Sequence, residues 1–182
     1  MRPGAVTKTG SLEAALAGIR RLNGVAVTSG LQGTAASGEK TGGELVTIGT
    51  ALEYGVPRFD SGDVEADRAT EAWFIPPRPF MRTSVERYGL NWVVGWDKAV
   101  RAATDDDRAK MLAALRLTGQ RMAGDIQATI NEGPWLPNAP ETVRLKSTSA
   151  GVGDQPLVDS GQMKQSIRSQ VEAPGSAPVV VA

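Results

Sequence analysis

The nearest approach to a nucleotide-binding motif is the glycine-rich stretch from Gly33 to Thr41. A P-loop needs lysine directly after its second glycine, because the ammonium group must reach the phosphates. Glu39 stands in that place, and its carboxylate would repel a phosphate. The stretch is therefore better explained as a loop rich in glycine and serine.

Asp63, Glu65 and Asp67 have the alternating spacing of acidic ligands in a calcium-binding loop. An EF-hand loop also requires glycine at its sixth position and glutamate at its twelfth. Counted from Asp63, those positions hold Arg68 and Phe74. The spacing therefore predicts a solvated polar loop rather than a metal site.

Two adjacent acid–hydroxyl pairs, Glu53 with Tyr54 and Asp159 with Ser160, resemble parts of a catalytic site. Neither pair has a third group to orient it. The chain contains no cysteine and no histidine, which excludes disulfides, thiolate or imidazole metal sites, and triads that use histidine. We therefore predict no catalytic residue, no cofactor and no metal, and we expect Asp159 or Ser160 to cap a helix.

The composition is that of one globular domain spanning residues 1–182, with 41% hydrophobic and 22% charged residues. Lysine plus arginine equals aspartate plus glutamate at 20 each, so net charge favours neither nucleic acid nor an anionic membrane. No run of 18 apolar residues occurs, so we expect a cytoplasmic protein without a membrane partner. The 21 glycines and 11 prolines indicate long loops, which we place at 29–43, 58–72 and 147–155.

Hydrophobic spacing predicts the helices, the longest of which covers residues 104–132. Its apolar stripe is expected to consist of Met111, Leu115, Thr118 or Gly119, Met122, Ile126 and Ile130. Thr104 is placed to cap it, and Asp105 to Asp107 would lie in its first turn. A helix of about 25 residues is roughly 37 Å long, so the other elements are expected to pack on it. Shorter helices are predicted at 11–23 with the stripe Leu12, Ala15, Leu16 and Ile19, at 44–54, at 81–102 with Val85, Trp92 and Trp96 facing the core, at 140–146, and after Asp159 or Ser160.

Strands are predicted at 25–28 and 167–171, with a last strand or a loose tail at 177–182. The segment Ile75–Phe80 contains three prolines and is expected to form a rigid, extended strap. The fold class that follows is α+β. A small mixed or antiparallel sheet would pack on the long helix 104–132 and several shorter helices.

Four segments, in this order, are similar to segments of a known protein family. The family is that of the neck and tail-completion proteins of long-tailed bacteriophages, also described as phage virion morphogenesis or minor tail proteins. Leu52 stands where the family commonly has histidine, and Ser160 where it has threonine. The four segments are Ala51–Pro57, Ile75–Arg82, Trp135–Val143 and Pro156–Ile167.

This resemblance implies a structural virion protein that has no catalytic residues. Such a protein is expected to form a homo-oligomeric ring, commonly sixfold, in the neck at the head–tail junction or at the head-proximal tail end. There it would complete the tail or join it to the head, and tail terminator is the alternative role. Its partners would be itself and the adjacent neck, connector and tail-tube proteins. Genome DNA would pass through the channel without sequence-specific binding. The protein would be found in the virion and, during assembly, in the host cytoplasm.

Residues of these segments are expected to contact partners, although each also has a local explanation. Phe80 can lie in the core, Arg78 can form a local ion pair, and Asn138 and Asp159 can belong to turns and caps. On the interface interpretation, Arg78→Ala weakens ring assembly and leaves the monomer folded. The expected contact residues are Arg78, Pro79, Phe80, Arg82, Trp135, Asn138, Asp159 and Ser160.

Two functions of other classes remain open. A nucleic-acid-binding accessory protein could use arginine-rich loops and Trp135, and salt-dependent binding to duplex DNA would indicate it. A nucleotide-dependent enzyme or hydrolase could use Gly33–Thr41, and thermal stabilisation by a nucleotide would indicate it.

Overall fold

A computed structural model describes residues 12–32, 40–57, 73–148, 154–158, 160–172 and 179–181. Within these ranges the chain has the predicted α+β fold, with six helices and five strands. The helices are α1 (Leu12–Arg21), α2 (Gly42–Tyr54), α3 (Phe80–Thr104), α4 (Arg108–Glu132), α5 (Pro140–Thr148) and α6 (Gln162–Gln165). The strands are β1 (Ala26–Leu31), β2 (Val56–Pro57), β3 (Trp73–Ile75), β4 (Ile167–Glu172) and β5 (Val179–Val181).

Helices α3 and α4 form an antiparallel hairpin with a turn of three residues. The prediction that Thr104 caps the second helix was wrong, because α3 continues to Thr104, whose hydroxyl donates to the Arg101 carbonyl at 2.7 Å. Asp107 caps α4 instead, and its carboxylate accepts the Lys110 backbone N–H at 2.9 Å. Asp106 lies between the helices at a φ of +59°, a left-handed conformation that aspartate tolerates. The three aspartates therefore build the turn and the cap, not the first turn of the helix.

The facing sides of α3 and α4 are held together by small residues and one polar contact. A Cβ on Gly95 would overlap the Thr118 hydroxyl, so glycine allows the close approach of the two helices at this point. The Trp92 indole N–H donates to the Asp125 carboxylate at 2.7 Å, and Trp92 is buried as predicted. Val85 was predicted to face the core but is 57% exposed, because the buried face at that turn belongs to Ser84.

One antiparallel sheet has the strand order β1-β4-β5 and packs on α4. The predicted first strand was too short: β1 extends to Leu31, which pairs with Ile167, so residues 29–31 belong to the sheet rather than to a loop. Gly119 of α4 lies close to Ser169 of β4, since a Cβ there would come within 2.9 Å of the serine Cβ. The last strand is present as β5, which pairs with β4.

Helix α2 begins two residues before its predicted start because of a capping box. The Thr41 hydroxyl accepts the Glu44 backbone N–H at 3.3 Å, and the Glu44 carboxylate accepts the Thr41 N–H at 2.6 Å. These bonds hold the pKa of Glu44 below its ordinary value. The chain leaves α2 into β2, which pairs with β3 as a second, two-stranded sheet. The predicted loop at 58–72 lies outside the described residues, as do the 33–39 and 149–153 parts of the other two loops.

Helix α1 packs on the end of α3 through a glycine. A Cβ on Gly18 would come within 2.6 Å of the Ala103 carbonyl oxygen, so the backbones meet directly. Arg21 adds an ion pair to Asp106 at 2.6 Å. This arrangement turns the apolar stripe of α1 away from the core, and Leu12 is 75% exposed.

The apolar core forms two clusters along α4. The periodicity of α4 was predicted correctly, since Met111, Leu115, Ile126 and Ile130 are all buried. The first cluster contains Leu45, Phe80, Ala123, Ile126, Ile130, Leu157, Val158, Met163 and Ile167. The second contains Ala99, Ala102, Ala103, Met111, Leu115 and Val171.

Candidate interaction site

Arg78 is buried in the strap between β3 and α3, with 6% of its surface exposed. Its guanidinium donates to the Leu136 carbonyl from Nε at 3.3 Å and from Nη2 at 3.1 Å. Nη2 also lies 3.4 Å from the Pro137 carbonyl and from Oδ1 of Asn138. The predicted local ion pair is replaced by neutral acceptors among the described residues, and burial lowers the pKa of Arg78 from its ordinary value.

A glutamate from α2 caps α3 from outside the helix. Pro79 precedes α3 and supplies no side-chain cap. The buried Glu53 carboxylate accepts the Met81 N–H at 2.9 Å and the Arg82 N–H at 3.2 Å. Arg82 also pairs with this carboxylate through Nε at 3.0 Å and lies over the Tyr54 ring at 5.2 Å. Glu53 therefore satisfies the first N–H groups of α3, a role that the sequence prediction missed.

Two aromatic residues predicted as contacts are used inside the chain. Phe80 opens α3, is 1% exposed and lies in the first core cluster, which confirms its local explanation. Trp135 packs against the same cluster, and its indole N–H donates to the Ile130 carbonyl at 3.0 Å. A Cβ on Gly133 would overlap the indole ring. The position of Trp135 is thus fixed by its own chain.

The region after Val158 is organised by glycine rather than by an acid or serine cap. Helix α6 begins at Gln162, after Gly161 at a φ of +78°, and this corrects the prediction of a cap by Asp159 or Ser160. Asp159 lies outside the described residues, and the exposed Ser160 accepts the Gln162 N–H at 3.4 Å. The Gln162 amide bonds both backbone groups of Lys40, at 2.7 and 3.2 Å. This pairing ties α6 to the start of α2.

The four segments that carry the family resemblance line one groove of about 640 Å³. They are far apart in the sequence and converge because α2, the strap and the chain after α4 all pack on the first core cluster. Asn138 strengthens the wall by donating to the Asp154 carbonyl at 3.2 Å. The lining includes Leu45, Ile48 and Leu52, then Ile75, Pro76 and Arg78, then Leu136, Pro137 and Asn138, and finally Leu157, Val158, Ser160 and Met163.

Three cationic side chains, Lys40, Arg78 and Lys146, also line the groove, and no aspartate or glutamate does so among the described residues. The Lys146 ammonium donates to the carbonyls of Gln155 at 2.9 Å and Val158 at 2.6 Å. Helix α5, which carries Lys146, extends to Thr148, two residues beyond its predicted end. The groove therefore combines an apolar floor with positive charge.

Exposed apolar side chains also form one stripe on α1 and one on α3, and we call these two stripes together the outer face. On α3, the exposed Leu90, Val93, Val94 and Val100 fall within an arc of about 120° on the side away from the buried Trp92, whereas the exposed Val85 lies outside this arc. An ion pair between Asp97 and Arg101, at 2.8 Å, lies within this arc and holds the pKa of Asp97 below its ordinary value. The outer face comprises Leu12, Leu16 and Ile19 of α1 with Leu90, Val93, Val94 and Val100 of α3, each at least 37% exposed.

The other sequence candidates lie partly or wholly outside the described residues. The part of Gly33–Thr41 that lies within the described residues is used by the capping box of α2, and the acidic spacing at 63–67 lies outside them. In the part of the chain that the structure describes, no three acidic residues are placed to hold a metal ion. No described helix is both long and apolar enough to cross a membrane.

Comparison of the chain with protein-family models, with curated proteins and with solved structures finds no match in any of the three.

Proposed function

We propose that this protein is a structural subunit of a tailed-bacteriophage virion, in the neck at the head–tail junction or at the head-proximal end of the tail. In this proposal it forms a homo-oligomeric ring, with six copies the expected number, and works by binding copies of itself and adjacent neck, connector and tail-tube proteins. The role is tail completion or head–tail joining, with tail terminator as the closest variant.

The observation that carries the proposal is the outer face. Single exposed apolar side chains are normal on a soluble protein, whereas several grouped on one side of a helix indicate an interaction surface. Here α3 is a helix of 25 residues with Leu90 86% exposed and Val93 60% exposed. Leu12 and Ile19 add a second exposed stripe on the adjoining helix. These side chains lie outside the core. Their exposure is explained if neighbouring copies bury them in the assembly.

The size of the outer face fits assembly that depends on concentration. Its seven exposed side chains amount to about four fully exposed ones, worth about 6–12 kcal/mol on burial. Association itself costs about 4–15 kcal/mol in lost translation and rotation. The two ranges overlap, so single pairs would be weak. Closing a ring adds one more contact without a further loss of freedom, so closed rings would be favoured over short open chains.

The experiment is negative-stain electron microscopy together with mass measurement in solution, on the protein alone and after addition of tails or neck particles. We expect closed rings, or loss of free subunit onto tail ends. The double variant Leu90→Glu with Val93→Glu should stay monomeric with an unchanged circular dichroism spectrum. The matched control is Asn91→Glu, an exposed position on the same helix outside the apolar arc. A wild-type protein that stays monomeric and ignores tails would refute the proposal.

A further inference from the structure

Among the described residues, the guanidinium of Arg78 in the groove has no anionic partner. Only 6% of the surface of Arg78 is exposed. In the described part of the chain, its guanidinium contacts only carbonyl and amide oxygens. A buried cation is normally paired with an anion, because removing an unpaired charge from water is costly. The groove thus contains a positive centre that an incoming carboxylate would stabilise.

Lys40 adds a second positive group to the same wall. Its backbone is fixed by Gln162, so the side chain projects from an anchored position beside the groove. Among the described residues, the acid closest to it in sequence is Glu44, whose carboxylate bonds Thr41 in the capping box and also interacts electrostatically with Lys40. The charged side chains among the described residues of the groove lining are therefore all cations, although the chain as a whole is neutral.

The rest of the lining is apolar. Leu45, Leu157, Val158 and Met163 form the floor and are each less than 10% exposed. Ile48, 36% exposed, lies at the α2 side of the groove. A volume of about 640 Å³ is within the range of sites for drug-sized ligands, enough for about three to five residues of peptide.

We propose that the groove receives an apolar, carboxylate-bearing peptide segment from a second copy of this chain. The inference rests on the proposed homo-oligomer, which supplies the second copy, and the charge of the groove selects the acidic segment. Within the sequence, residues 58–72 have the required composition, with five carboxylates, two arginines, Phe59 and Val64. A carboxylate in the groove would neutralise Arg78 and Lys40, while the apolar side chains would cover the floor.

The test uses a fluorescein-labelled peptide with the sequence of residues 58–72, titrated with the full-length protein and followed by fluorescence anisotropy. A matched peptide carries asparagine or glutamine at the five acidic positions. We expect the acidic peptide to bind at least tenfold more tightly than the neutral one, and the difference to shrink at high salt. Equal binding of the two peptides, or no binding of either, overturns the proposal.

Matched variants locate the binding. Ile48 and Val46 lie on α2 and are both 36% exposed, but only Ile48 lines the groove. Ile48→Glu should lower the affinity for the acidic peptide at least tenfold, whereas Val46→Glu should change that affinity less than twofold. Lys40→Gln should likewise weaken it, whereas Lys98→Gln, exposed on α3, should not. Equal losses in a variant and its control would place the peptide elsewhere and overturn the assignment.

A further arm separates this proposal from the ring proposal and from a small-molecule site. Peptide binding is measured on the monomeric Leu90→Glu, Val93→Glu variant, so a failure to form rings and a failure to bind the peptide are separate results. Dodecanoate, which is apolar and carries one carboxylate, is titrated in parallel. If dodecanoate binds the wild-type protein, loses affinity in the Ile48→Glu variant, and the peptide does not bind, the groove is a fatty-acid site and the peptide proposal is wrong.

Discussion

The capping of α3 by Glu53 gives a quantitative test of how the strap region is held. Glu53→Ala removes the acceptor of two backbone N–H groups, those of Met81 and Arg82. Loss of a helix N-cap costs about 0.5–2 kcal/mol, and leaving a buried donor unsatisfied costs about 1–3 kcal/mol. The Arg82 side chain is 57% exposed, so its ion pair with Glu53 adds only a few tenths of a kcal/mol. We expect a total loss of about 3 kcal/mol in the free energy of unfolding.

Glu53→Gln separates the charge from the shape of this cap. The amide keeps one acceptor oxygen and nearly the same volume, so we expect a loss of about 1 kcal/mol. For a chain of 182 residues, about 1 kcal/mol shifts Tm by about 2–4 °C, so Glu53→Ala should lower Tm by about 6–12 °C. The assay is urea unfolding followed by tryptophan fluorescence and circular dichroism. The control is Glu86→Ala, an exposed position on α3. If Glu53→Ala and Glu86→Ala unfold at the same urea concentration, the capping role is refuted.

Three further predictions concern other parts of the structure. Arg78→Ala should destabilise the protein by about 2–4 kcal/mol in urea unfolding, because it removes a buried side chain and its hydrogen bonds to the Leu136 and Pro137 carbonyls. Unchanged stability with lost assembly would instead support a direct interface role. Gly95→Ala should destabilise the protein by about 1–3 kcal/mol, because the added Cβ overlaps Thr118. Gly124 has open space around it, so Gly124→Ala should stabilise the protein by about 0.5–1 kcal/mol. Changes of the same sign in the free energy of unfolding would contradict the close contact of α3 and α4 at Gly95. The pKa of Glu44 is below its ordinary 4.5, so its stabilising effect is full above that pH and is lost as pH falls through the lowered value. The Tm difference between wild type and Glu44→Gln should therefore disappear on acidification. A difference that persists in acid would contradict a stabilising role of the ionised Glu44 carboxylate.

Helix α4 shows what hydrophobic spacing can predict. Its stripe is regular over the whole element, and Leu115 and Ile130 are fully buried, so one periodicity specifies both the helix and its buried face. The same reasoning predicted α1 as a helix with an apolar stripe, but Leu12, Leu16 and Ile19 of that stripe are exposed. Gly18 packs on α3 instead, where it meets the backbone at Ala103. Spacing alone does not distinguish an apolar face that packs within a subunit from one left for another.

Boundaries were decided by interactions that are distant in sequence. Any of three successive aspartates could cap α4, and the choice of Asp107 depends on where α3 ends against its neighbours. Leu31 belongs to a strand because Ile167, 136 positions later, pairs with it. Local sequence preferences do not reveal a strand partner that is distant in sequence, so residues 29–31 were predicted to be a loop.

The candidate site was only partly predictable. The resemblance selected the segments that line the groove, but their convergence depends on the core that they share. Glu53 was missed as a cap, although the sequence held a signal: Pro79 and Phe80 at the start of α3 offer no side-chain acceptor. A helix that begins without its own cap needs a hydrogen-bond acceptor from another element. A glutamate at the end of a neighbouring helix can supply that acceptor. The role of Lys40 in the groove had no such signal.

In the proposed assembly, the positions of the groove and of the outer face constrain how neighbouring copies can be arranged. The groove lies where α3 begins, and α1 adjoins Ala103 at the other end of that helix, roughly 35 Å away. A twofold dimer through the outer face would cover that face on both copies and leave both grooves open. A head-to-tail arrangement gives every subunit two neighbours in the same relation, so both kinds of surface can be covered, and it closes into a ring when the rotation permits. The net charge of zero helps, because repeated self-contact then accumulates no like-charge repulsion. Mass and micrographs together therefore distinguish the two geometries: a protein that stops at two copies excludes the head-to-tail ring, whereas a closed ring of three or more copies with cyclic symmetry requires it.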